Sequence, residues 1–76
     1  GNAYWVCLFD ERGAPTGVWT GTYMMTEATG INHRSIHLYP TEDEAWGVVE
    51  RHHKPGQIWG VLSTEKLARK LRAGVY

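Results

Sequence analysis

The sequence is short of most features that announce a specialised chain. It has one cysteine, Cys7, so no disulfide can close within it and a secreted, disulfide-stapled framework is excluded. A reduced, intracellular setting, read as cytoplasmic, is expected. No apolar run comes near the roughly 18 residues that span a bilayer, and no stretch reads as a signal peptide. Neither sign of charge is in excess: eight Lys and Arg balance eight Asp and Glu. That balance weighs against a chain whose main task is gripping nucleic acid or an anionic membrane through its overall field. No internal repeat, low-complexity segment or linker interrupts the sequence.

The motifs of catalysis are equally scarce. No Gly-rich phosphate loop follows a strand, the stretch from Gly13 to Gly17 matching neither a Rossmann nor a P-loop pattern. Ser35, flanked by His33, Arg34 and His37, has no nucleophile-elbow surroundings. Cys7 lies inside an apolar strand pattern, where a thiol is normally an inert packing group. The four histidines lack metal-ligand spacing: His33 and His37 fall in an extended segment, while His52 and His53 are adjacent on a helix and point apart. The carboxylates of Glu42, Asp43 and Glu44 are explained by helix initiation. No catalytic residue, metal site or cofactor is therefore expected; a small metal-dependent or Cys7-dependent enzyme is the third reading.

What is present is aromatic surface. Hydrophobic residues make up 42% of 76 residues, with four Trp and four Tyr among them. Aromatic side chains bury the most area per residue, which helps a chain near the lower size limit for one unaided core, and they are also favoured in binding surfaces. The chain reads as a single domain over residues 1–76, with residues 1–3 a tag remnant or disordered.

Tyr4–Phe9 has the β-branched and aromatic content of a strand and is apolar on both alternating faces. Asp10 to Gly13 is a turn, and Val18–Met25 is a second strand completing a hairpin. The segment from Thr26 to His33 is a polar loop, and Arg34–Tyr39 is expected to be a third strand. Thr41-Glu42-Asp43-Glu44 is a capping box that starts a helix with Ala45, Val48, Val49 and His52 on one stripe; Pro55-Gly56 stops it. Gln57–Leu62 is a fourth strand, and Ser63 caps a last helix to about Ala73.

The expected fold is thus α+β, a small single domain with a four-stranded, mostly antiparallel sheet and two helices on one face, in the order β-β-β-α-β-α. Two helices on one face leave the other uncovered. The aromatics with a face to spare, Trp5, Trp19, Tyr23 and Trp59, together with His33 and Arg34 at the polar loop, are the candidate partner-binding residues. The function this implies is a non-catalytic module that binds another protein or its own copy as a homodimer, in the manner of small accessory or inhibitor proteins of phage or mobile-element type.

The alternative is nucleic-acid binding. Lys66, Arg69, Lys70 and Arg72 occupy most of the outer arc of the last helix, and aromatics could stack on bases. Three strands followed by a helix that opens Thr-Glu-Asp-Glu-Ala-Trp, residues 41 to 46, also resembles the layout of AP2-type and integrase-arm DNA-binding domains over Tyr4 to His53. The resemblance implies a sheet that reads DNA. Such sheets carry many Arg and Lys on their strands, whereas here Arg34 is the one base in a strand and Arg12 lies in a turn.

Overall fold

The computed structural model describes residues 2–26 and 33–65. Its elements in chain order are β1 (Tyr4–Phe9), β2 (Pro15–Trp19), β3 (Met24–Thr26), a 3₁₀ turn (His33–Ser35), α1 (Glu42–His52) and β4 (Ile58–Ser63). The strands form one antiparallel sheet in the order β3-β2-β1-β4. β1 is therefore internal, as its apolar character on both faces requires.

Two turns set the sheet. At the first, the Asp10 carboxylate accepts from the amides of Arg12 and Ala14, both at 2.9 Å, the local side-chain bonding that makes Asp a turn residue. The β1–β2 register then slips between Leu8 and Phe9, which face Gly17 and Pro15. The residue left over, Thr16, donates its hydroxyl to the Leu8 carbonyl at 3.3 Å.

The second turn corrects the expected second strand. Val18–Met25 is not continuous: β2 ends at Trp19, the chain reverses, and β3 begins at Met24, opposite Trp19. Thr20 makes the reversal, its hydroxyl accepting from the Tyr23 amide and donating to the Tyr23 carbonyl. Gly21 completes it at φ +105°, where a Cβ would also stand 3.1 Å from the His37 ring. Alternation through Thr20-Gly21-Thr22 imitates a strand, but a hydroxyl competing for backbone groups beside a glycine favours a turn.

The expected third strand, Arg34–Tyr39, is also corrected. Its first part belongs to the 3₁₀ turn, and its end makes a single bridge: Tyr4 and Tyr39 exchange amide bonds of 2.8 and 2.7 Å. His37 N–H donates to the Trp19 carbonyl at 3.1 Å. This extended stretch occupies the flank of β1 that β2 vacates when it turns away. Ala3 continues the ladder, its carbonyl accepting from the Thr64 amide at 2.9 Å.

α1 starts as the sequence specifies. The Thr41 hydroxyl accepts from the Glu44 amide at 3.2 Å and lies 3.3 Å from the Glu44 carboxylate, to which it donates. Glu44 thus closes the box on the Thr41 side chain. Ala45 and Val48 are buried and pack with Val6, Trp19 and Trp59. Among the described residues α1 is the one helix of this length; the last helix expected over Ser63–Ala73 lies outside them beyond Thr64 and Glu65, which are helical.

Pairing fixes which residues share a face. Val6, Trp19 and Trp59 lie under α1, while Trp5, Cys7 and Val18 form a second buried cluster on the opposite side with Phe9, Met25, Ile36 and Leu62. Trp5 and Cys7 are both 0% exposed. The expectation of an uncovered sheet face is therefore overturned: both faces are packed.

Gly60 opposes Cys7 on β1, and a Cβ there would stand 2.5 Å from the Phe9 ring. Gly60→Ala is expected to displace that ring and cost about 1–3 kcal/mol, and Thr41→Ala about 1 kcal/mol. Urea unfolding should show both as lower midpoints with unchanged slopes.

Candidate binding cleft

The hairpin turn and the end of α1 leave a cleft between them. Its volume is 190 Å³, and Trp19, Thr22, Tyr23, Met24, His52, Lys54 and Trp59 line it. Each wall follows from local structure. Trp19 ends β2 and faces α1; Thr22 and Tyr23 belong to the turn forced by Thr20 and Gly21; Met24 opens β3. His52 is the last residue of α1 on the Ala45–Val48 stripe, and Trp59 comes from β4, across β1 from Trp19.

The aromatic rings brace one another. Trp19 and Trp59 have centroids 5.7 Å apart at 49°, and the His52 ring lies 4.6 Å from Trp19 at 36°, tilted arrangements that aromatic quadrupoles favour. The indole N–H groups are tied as well: Trp19 donates to the Tyr39 hydroxyl at 3.1 Å and Trp59 to the Gln57 amide oxygen at 2.8 Å. Tyr39 is held in turn by its bridge to Tyr4 and by the His37 ring at 4.7 Å. The floor of the cleft is thus fixed before any ligand arrives. Tyr23, by contrast, is 54% exposed at its rim.

The size of the cleft decides what it could hold. Pockets that enclose drug-sized ligands run to roughly 300–1,000 Å³, so this one suits about one side chain. Its lining carries the Lys54 ammonium and no carboxylate. A second depression of 440 Å³ runs along α1, lined by Tyr39, Asp43, Glu44, Gly47 and Arg51.

Of the residues singled out from sequence, Trp19, Tyr23 and Trp59 meet in this cleft. Trp5 does not: it lies on the opposite face, fully buried, with no hydrogen-bond partner for its indole N–H among the described residues. Trp19 and Trp59 are 4% and 9% exposed, so they act as floor rather than as protruding contacts. His33 and Arg34 stand in the 3₁₀ turn, away from the cleft lining, with Arg34 exposed; Arg34 is not a strand residue. Lys66, Arg69, Lys70 and Arg72 lie outside the described residues.

Sequence reasoning missed Thr22, Met24, His52 and Lys54 as lining. His52 was findable, since it shares the helical stripe that packs on the sheet aromatics. Met24 depended on recognising the turn at Thr20. Cys7 is buried among apolar side chains. Among the described residues no three His, Cys, Asp or Glu side chains are grouped to hold a metal ion, and no helix is long and apolar enough to cross a membrane.

The Trp19–Tyr39 bond anchors the cleft floor to the bridge on β1. Tyr39→Phe should leave the buried indole N–H unpaired, lower stability by about 1–2 kcal/mol, and alter tryptophan fluorescence of the folded state. No family model, curated protein or solved structure matches the chain.

Proposed function

We propose that this protein is a non-catalytic module that binds a segment of another protein, and that the cleft between α1 and the β2–β3 turn takes one apolar or aromatic side chain of that segment. The observation that carries the reading is the half-exposed Tyr23 beside a pre-braced floor of Trp19 and Trp59. Rigid aromatic anchors lose little conformational entropy on binding, and binding energy concentrates at such positions. A floor already held by two indole hydrogen bonds reduces the ordering cost further.

Charge narrows the partner. Lys54 is exposed and is the one Lys, Arg, Asp or Glu side chain in the cleft lining. An anchor side chain flanked by Asp or Glu would meet complementary charge there, whereas a flanking Lys or Arg would be repelled. The preferred target is thus a short acidic–hydrophobic segment. A domain this small acting through one anchor suits an accessory or inhibitory role on a larger protein.

Selection of a random peptide library against the immobilised protein tests this. Enriched peptides should pair a Phe, Trp, Leu or Met with a neighbouring Asp or Glu. Tyr23→Ala should weaken the selected peptides about 10-fold, equivalent to ~1.4 kcal/mol, and Lys54→Glu should reverse the preference for acidic neighbours. Both positions are exposed and leave the core packing alone. Absence of enrichment, or enriched peptides indifferent to both substitutions, would remove the proposal.

A further inference from the structure

β4 is an outer strand of the sheet, and among the described residues its outer edge is unpaired. The ladder shows which groups point outward. On β1, Tyr4 bonds toward Tyr39, on the β2 side, so alternation directs Tyr4, Val6 and Leu8 toward β2 and Trp5, Cys7 and Phe9 toward β4. The β4 residues opposite the first set are Ser63, Val61 and Trp59. Their amide N–H and carbonyl groups therefore face away from β1. No hydrogen bond within the described residues meets them there.

Natural sheets guard such edges with charge, proline, a bulge or brevity. The sequence Ile-Trp-Gly-Val-Leu-Ser has neither charge nor proline, and β4 pairs with β1 over six consecutive residues without a slip. The other edge, β3, spans three residues among those described. Ile58, beside the unpaired edge of β4, is 50% exposed.

From these features we infer that β4 pairs antiparallel with β4 of a second copy, about a two-fold axis at Val61. The strand is self-complementary in this register. Val61 faces its symmetry mate, and Trp59 and Ser63 face each other twice, so three residue pairs each exchange two hydrogen bonds and satisfy every outward group. The strand is uncharged, so no like charges oppose one another along the seam, and the chain's formal net charge of zero adds no repulsion between copies. The pairing uses the backbone of Trp59 and leaves its side chain in the cleft, so this inference stands or falls apart from the proposed function.

Sedimentation equilibrium of the intact protein, from micromolar to about 1 mM (a Kd near which is worth ~4.1 kcal/mol), tests it, with amide exchange by NMR alongside. The expected result is a species of twice the 8.6 kDa chain, with slowed exchange at Trp59, Val61 and Ser63. Val61→Pro removes only an outward N–H, which an edge strand tolerates; it should raise the dimer Kd at least about 10-fold with the circular dichroism unchanged. Should Val61→Pro fail to fold, Ser63→Lys decides, since it sets a charge on the seam of each copy and should weaken the dimer likewise. A wild-type protein at one-chain mass throughout overturns the inference. So does a dimer whose three amides exchange freely, or one that survives the folded variant.

Discussion

The fold depends on the burial of β1 on every side. Its six residues are apolar on both faces, and its backbone is bonded on both flanks, to β4 along one and to β2 and then Tyr39 along the other. A strand of this kind has no acceptable exposed orientation, because either face would place Trp5 or Val6 in water. It therefore imposes two clusters, one under α1 and one on the opposite side. Two thin clusters rather than one thick core are what a chain this short can build, and tryptophans supply the volume that so few residues would otherwise lack.

How much of this could be read from sequence follows the locality of each signal. The Thr41 capping box, the Ala45–Val48 stripe and the stop at Pro55-Gly56 are local, and α1 lies where they put it. β1 and β4 were legible from composition. Residues 20 to 25 and 34 to 39 were not, and the polar loop expected from Thr26 to His33 lies largely outside the described residues. At Thr20 the decision between strand and turn rests on one hydroxyl reaching the backbone of Tyr23, which apolar periodicity does not register. Arg34–Tyr39 has strand-like alternation, yet a residue becomes a strand only by finding a free ladder, and what β1 offered there was the short length beyond Trp19.

The site was legible as a composition and not as a place. Trp19, Tyr23 and Trp59 could be named because aromatics are conspicuous, but assigning them to an open face assumed that the sheet had one. Burial of Trp5 and Cys7 removes that assumption. The cleft arises instead where two irregularities coincide, the reversal at Gly21 and the end of α1. Each has its own local cause, but that the two ends meet is decided by the sheet pairing, so Lys54 joins the aromatics only once the chain has folded.

The chain leaves β2 at Trp19, returns to pair with it through β3, and is caught again by His37 on the Trp19 carbonyl and by Tyr39 on Tyr4 of β1. Both strands beside the reversal are thus held by ladders of their own. Changes of length or residue within positions 20 to 23 would leave those ladders in place, so the rim of the cleft is free to vary in descendants of this sequence while its floor stays constant.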